Sequence, residues 1–474
     1  MIAYSPTSRR QLFASVRGFF ERWAALGVFL IYFVCQVNAA LHHGSWGQDF
    51  SSHVRWIQAA HANPWHFATH IDPDRPEPPL FHLVGAAVVE VTNGKGSLEM
   101  IAFLSIVANL FGLLMAYRLI RQLVENWILQ LAGIIFIAFL PCMMIHSLVL
   151  ASDAFTLPIF IGLITVLTEL VRSRFTRGFW PQLAGLIILL ASGLATKFIF
   201  ESQAVGLLAV FCVFPFKNLI EKHRALQASL LIGAVAAIGF ALIFFNLDSI
   251  RGRWIPGFSM SPRDVLWLHK RDVHIFRAPS YLEELPGANP NAPLTPQGPY
   301  DLLVQHRYSY PALLHLAIFT DILNIYQDDL SDSYFGTRTR KNASRMRIAV
   351  KTGLIFSLSC FFLTAIGLAR TFYLTLVKRK PEELPRFTLA LCGLGWFLNI
   401  VVFLPSTAAY LGGYWLPRLI LPALLAFIIL STTELDRLLR GHAERWSWMV
   451  LALVVLQSAV QLSFLWPHGP IRPL

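Results

Sequence analysis

Residues 47–80, GQDFSSHVRWIQAAHANPWHFATHIDPDRPEPPL, form a polar stretch between apolar runs of bilayer-spanning length. Its first acidic residue, Asp49, falls just beyond the end of the first such run. A carboxylate placed where the low dielectric begins can be partly desolvated and accept a proton from a substrate arriving from water. Residues 50–62 put Val54, Ile57 and His61 on one helical face, with Ser51, Arg55 and Gln58 elsewhere, which suits a helix lying on a membrane surface. The chain then bends at His70-Ile71-Asp72-Pro73-Asp74, and Pro78-Pro79-Leu80 opens a further apolar run. That run, 79–91, is about 13 residues long, too short to cross a hydrocarbon core of about 30 Å, so it should lie along the interface or dip into it. Counting it as a span would invert every later loop.

Outward from this stretch, composition narrows the class. Hydrophobic residues make up 55% of 474 and charged residues only 14%, the balance of an integral membrane protein. The formal charge of +12 falls in short clusters between apolar runs, not along one continuous face, so it reads as membrane orientation and not as a nucleic-acid surface. Cys35, Cys142, Cys212, Cys360 and Cys392 all lie within apolar runs with no CxxC spacing, as packing residues do. The first run, 24–41, follows Arg9, Arg10, Arg17 and Arg22; Val37-Asn38-Ala39 resembles a weak cleavage site, but the run is long enough to span and is expected to be retained.

Further spans are expected at 101–119, 128–148, 154–171, 179–198, 204–216, 226–247, 352–369, 387–404, 416–431 and 446–465, giving an all-α polytopic protein of about 11 transmembrane helices with interfacial helices in the first outer loop. With the N-terminus in the cytoplasm, the inner connections carry Arg118 and Arg121; Arg172, Arg174 and Arg177; Lys217, Lys222 and Arg224; Lys378, Arg379 and Lys380; and Arg437, Arg440 and Arg445. The short opposite connections, 149–153, 201–203 and 405–413, carry no Lys or Arg, as the positive-inside rule requires. The chain therefore divides into a cytoplasmic segment 1–23, a transmembrane module 24–247 with its first outer loop at 43–97, a long outer loop 248–347 and a second module 348–474. Within the long loop, 312–326 is apolar enough to form a re-entrant or interfacial helix.

This topology gathers Asp49, His53, Ser152-Asp153, Lys197, Tyr410, Tyr414 and Arg418 at one membrane face. Carboxylates beside fixed cations suit a site that holds an anionic, membrane-anchored group and deprotonates a nearby hydroxyl. Each residue also has a structural reading: Asp49 and Asp153 as N-caps, Lys197 and Arg418 as cations snorkelling to headgroups. Arg418, after Gly412-Gly413-Tyr414-Trp415 and Pro417, runs against the prevailing charge bias. His42, His43, His53, His61, His66, His70 and His82 cluster without HExxH spacing, which favours exposure or hydrogen bonding over metal ligation. Trp46, Trp56, Trp65, Trp254, Trp267, Trp415 and Trp466 read as interface anchors.

Taken in order, Asp49, Pro78-Pro79-Leu80, Ser152-Asp153, Thr196-Lys197 and the Tyr414-to-Pro422 segment resemble the glycosyltransferase C superfamily, in particular the bacterial branch of aminoarabinose–lipid A transferases and protein O-mannosyltransferase-like enzymes. The resemblance implies a transferase in the bacterial inner membrane with its site on the periplasmic side. Asp49 would be the general base, and Arg418 and Lys197 would hold the phosphate of a polyprenyl-phosphate sugar, with His53, Asp153 and Tyr414 in support. The acceptor would be an envelope lipid, glycan or protein. Phe50 follows Asp49 where many members have a second acid, so a divalent cation is left as an open requirement. Two other readings stand beside this one. A lipid-sugar flippase would need ionisable residues near the bilayer midplane, where the spans are nearly free of charge. A surface-polysaccharide polymerase or ligase would need more outer-face arginines, which Arg338-Thr339-Arg340-Lys341 could supply.

Overall fold

The computed structural model describes residues 6–43, 50–69, 78–148, 150–173, 178–197, 200, 203–204, 206–208, 211, 222–245, 318–319, 343–411 and 416–465. In order, α1 (Pro6–His43), α2 (Phe50–Ala62), α3 (Pro64–Thr69) and α4 (Leu80–Thr92) lead into α5 (Ser97–Leu123), α6 (Trp127–Ala138), α7 (Pro141–His146), α8 (Asp153–Arg172) and α9 (Phe179–Leu194). Then come α10 (Lys222–Phe245), α11 (Ala343–Phe372), α12 (Leu384–Leu411), α13 (Leu416–Leu439) and α14 (Arg445–Leu465). Among the described residues there is no strand. Among the described residues, five helical segments, in α1, α5, α8, α14 and the stretch Ile348–Val377, are each long and apolar enough to cross a membrane. Their outer faces carry Leu30, Phe111, Phe361 and Leu456, all exposed, as lipid-facing surfaces do.

The bundle is organised on α8, which is buried along most of its length and packs against α5, α9, α12 and α13. Gly112 makes the α5 contact: a Cβ there would lie 3.0 Å from Pro158 Cα, so the glycine lets the two helices meet closely at that proline without displacing its backbone. Contacts fix the relative directions. Phe29 of α1 meets Tyr117 near the end of α5, while Ala39 clusters with Ile106 nearer the start of α5, so these helices run antiparallel. Asp436, near the end of α13, accepts the backbone N–H groups of Glu125 and Asn126 that follow α5, and Gln122 of α5 donates to Glu169 near the end of α8. The start of α8, the end of α1 and the start of α13 therefore share one end of the bundle. Helices α2, α3 and α4 lie at that same end, between the end of α1 and the start of α5. The short apolar run thus does not cross, and a left-handed turn at Asn93 (φ 49°), Gly94 and Gly96 leads it into α5.

Helices occupy the expected spans except 204–216, which lies largely outside the described residues. One expected span differs in kind. Residues 128–148 are not a single helix: Leu140 is extended (φ −62°, ψ 129°) and Pro141 starts a new helix, because a proline has no N–H to donate to the preceding turn and pushes the residue before it out of the helical region. The 352–369 span extends to Ala343–Phe372 and continues as a π-helical turn over Tyr373–Val377. Most of the 248–347 loop lies outside the described residues; Ile318 and Phe319 are helical and buried in the main core, Phe319 against Phe136 and Gly353.

Candidate functional site

Three short motifs far apart in sequence meet at the shared end of the bundle. The backbone N–H of Leu80, opening α4, donates to the carbonyl of Ala195 at 2.9 Å, just past the end of α9. Two residues on, the Lys197 ammonium forms an ion pair with Asp153, the first residue of α8. Their side chains are only 11% and 4% exposed, so this is a buried pair and not a surface one. Phe81 bridges the same place, its ring 5.4 Å from Phe155. The N-cap position of α8 belongs to Ser152, which has no side-chain capping bond, and Asp153 stands in the first turn, paired with Lys197.

Behind this pair sits an aromatic box that sequence reading missed. His53 of α2 and His82 of α4 are both buried, with nearly parallel rings (14°) and a 3.0 Å hydrogen bond between His53 Nδ1 and His82 Nε2. One nitrogen donates and the other accepts, so while the bond stands the pair holds at most one positive charge. Trp56, Phe67 and Phe81 surround it edge-on. The buried face of α2 is accordingly His53, Trp56, Ile57 and Ala60, and not the expected Val54, Ile57 and His61; Val54 is only part-buried and His61 faces solvent. Trp56 is correspondingly a core residue and not an interface anchor, whereas Trp65 is exposed. The sequence does pair the spacing 53, 56, 57, 60 with a helical period, but reading His and Trp as polar hides it. Helices α2 and α4 approach so closely that a Cβ on Gly85 would lie 2.7 Å from Ile57 Cγ1.

The other expected site residues fall differently. Asp49 and Tyr414 lie outside the described residues; α2 begins at Phe50, directly after Asp49. Arg418 is in the first turn of α13, at the Asp153 end, and its side chain is outside the described residues, as is that of Tyr410 in α12. Among the described residues, no three of His, Cys, Asp and Glu gather so as to hold a metal ion.

The opposite end is locked by a different set of charges. Arg437 of α13 is held between Glu383 and Glu434, the latter at 2.6 Å, and Arg386 joins Glu383 at 3.3 Å. Glu383 lies in the short 3₁₀ turn Pro381–Glu383. Burial by itself would raise its carboxyl, but the Arg437 hydrogen bonds and the charges of Arg386 and Arg437 outweigh it and hold it below the ordinary glutamate value.

No protein-family model and no curated protein matches the sequence. The fold does have solved counterparts. The oligosaccharyltransferase of Archaeoglobus fulgidus, solved in complex with Zn and sulfate, superposes with a TM-score of 0.52 at 16% identity over 94% of this chain and 53% of its own. Its apo form gives 0.53 at 13% identity over 95% of this chain and 57% of its own. ArnT from Cupriavidus metallidurans bound to undecaprenyl phosphate superposes far more loosely, at 0.33 and 13% identity over 92% and 79% of the two chains, too loosely to argue from. The chain spans little more than half the length of the oligosaccharyltransferase, so the likeness is one of fold. On that fold and on its apolar helices, the chain is an all-α polytopic membrane protein whose helical fold is shared with that oligosaccharyltransferase.

Proposed function

We propose that the protein is a membrane glycosyltransferase that moves a sugar from a polyprenyl-phosphate donor to an acceptor hydroxyl on an envelope lipid, glycan or protein. The reading places the site at the outer face of the bacterial inner membrane with the N-terminus in the cytoplasm. The observation that supports it is the convergence of Leu80, Asp153 and Lys197 at the end of the bundle where Asp49 precedes α2 and Arg418 begins α13. A donor confined to the bilayer by its lipid would reach such a site laterally, with its phosphate at the level of these cations.

In this mechanism Asp49 takes the proton from the acceptor hydroxyl as its oxygen attacks the anomeric carbon. The bond from that carbon to the phosphate oxygen breaks, and the lipid phosphate leaves with the negative charge. Arg418 and Lys197 stabilise that charge where it grows, which is where fixed donors contribute most to the rate. Lys197 would serve the phosphate while tethered by Asp153, which holds its ammonium in place. His53, beside His82, stiffens the first turns of α2 directly after Asp49.

The test is transfer of radiolabelled sugar from a polyprenyl-phosphate donor to envelope extract by purified wild type and by Asp49→Asn. Asparagine keeps a capping oxygen and removes the basic carboxylate, so the variant is expected to insert and fold yet lose transfer. Equal transfer by the two proteins would refute the assignment of Asp49, and no transfer by wild type from any such donor would refute the class of reaction.

A further inference from the structure

At the end of the bundle away from Asp153 lies a cleft of about 640 Å³ between α5, α8 and α9. Glu169, in its wall, is sixteen residues beyond Asp153 on the same helix, which is about 24 Å along the axis. The cleft therefore sits at the level of the other leaflet's headgroups and shares no residue with the proposed transfer site. Three arginines line it, Arg118, Arg121 and Arg172, against the single carboxylate of Glu169. That carboxylate is already occupied: Arg118 contacts it at 2.5 Å and Gln122 donates to it at 2.8 Å. Arg121 is held over the Tyr117 ring at 5.9 Å. Arg121 and Arg172 have no ion-pair partner among the described residues. Two amide oxygens of cleft residues, those of Gln122 and Gln182, are buried with no hydrogen-bond partner among the described residues.

Arginines that only snorkel to a membrane surface need no cavity beside them and no buried acceptors. Here cations and unmet acceptors line the same cleft. An occupant that satisfies both carries an anionic phosphate for the guanidinium forks and a hydroxyl or ammonium that donates to the amide oxygens. The apolar surface around the cleft adds the rest: Phe111 and Leu114 of α5 and Trp180 of α9 are exposed, offering a path for acyl chains. We propose that this cleft binds the phosphodiester headgroup of a membrane phospholipid that bears a hydrogen-bond donor, independently of the sugar-transfer site.

The experiment uses the purified full chain in neutral detergent. Native mass spectrometry titrates dioleoyl phosphatidylglycerol, whose glycerol donates, and dioleoyl phosphatidylcholine, whose headgroup has no donor; inorganic phosphate is added as competitor. Wild type is expected to retain the phosphatidylglycerol over the phosphatidylcholine. The double variant Arg121→Gln/Arg172→Gln should weaken that binding by about tenfold or more, and Gln182→Leu should narrow the preference between the two lipids. Arg121→Lys, which keeps charge but not the fork, should fall between and serves as the variant least prone to disturb folding. Competition by inorganic phosphate at millimolar level with the same arginine dependence would assign the phosphate recognition while overturning the lipid as occupant. Equal lipid binding by wild type and the double variant, or no preference for phosphatidylglycerol, overturns the proposal.

Discussion

Replacing Asp153 with Asn leaves the Lys197 ammonium, 11% exposed, in a bundle interior without its carboxylate. Removing one partner of a buried ion pair costs about 3–5 kcal/mol, because the remaining charge must be desolvated alone, whereas an exposed pair is worth about 0.2–1 kcal/mol. With side chains 11% and 4% exposed, the larger range applies. Lys197→Met should cost a similar amount by stranding the carboxylate. The double variant Asp153→Asn/Lys197→Met strands neither and should return to within about 1 kcal/mol of wild type, or exceed it. The assay is a double-mutant cycle in mild detergent, reading chemical denaturation and the temperature at which half the protein leaves the monodisperse peak. Additive losses, or single losses under about 1 kcal/mol, would refute the buried pair. The same proteins separate scaffold from chemistry. A double variant that folds but does not transfer sugar assigns the Asp153–Lys197 pair to the transfer site; one that folds and transfers leaves the donor phosphate to Arg418.

Arg418→Lys separates phosphate binding from snorkelling: a lysine snorkels equally well but cannot form a bidentate fork, so a loss of about ten- to a hundredfold in transfer efficiency is expected, and equal donor-dependent initial rates would remove Arg418 from the site. Gly85→Ala should push α2 from α4, since the new methyl would meet the buried Ile57 at 2.7 Å; a cost of about 1–3 kcal/mol is expected. Ile57→Ala in the same chain should recover part of it, and an unchanged denaturation midpoint in Gly85→Ala would refute the close approach. Glu383, held below the ordinary glutamate value, stabilises the fold fully above that value, and the contribution is lost as pH falls through its lower folded value. Thermal midpoints measured down an acid series should therefore fall more steeply for wild type than for Glu383→Gln, and parallel curves would count against the network.

Much of the architecture is legible because membrane helices must satisfy their backbone within themselves, so long apolar runs announce them. The 79–91 segment shows the limit of that rule working in favour of the reading: its length alone excludes a span, and α4 does lie at one end of the bundle. Pro141 shows the opposite. Residues 131–145 are apolar on both sides of Pro141, and prolines are common enough in membrane helices that hydropathy does not reveal whether one bends or breaks its helix. In α2 the true buried face lies one position away from the expected one, because His53 is accommodated by a partner twenty-nine residues away that no local window contains.

The acids of α13 carry the same point to the other end. Glu434 and Asp436 look like headgroup-level residues closing a span, yet they are 1% and 4% exposed. Asp436 is buried because it accepts the N–H groups that open α6, more than three hundred residues earlier. Glu434 is buried because Arg437 needs two carboxylates, the second supplied by Glu383. A charge near a helix end is cheap to place in water and costly to place in the bundle, so its burial can be foreseen only once its partner is known. The consequence for the two ends differs. Among the described residues, the end with Arg437 joins its arginines to several acids and ties α6, α12 and α13 together, whereas at the other end the buried Lys197–Asp153 pair sits beside the start of α4. Under the proposed function, the network at the Arg437 end would hold the framework while Lys197, kept in place by Asp153, meets the lipid phosphate at the other end.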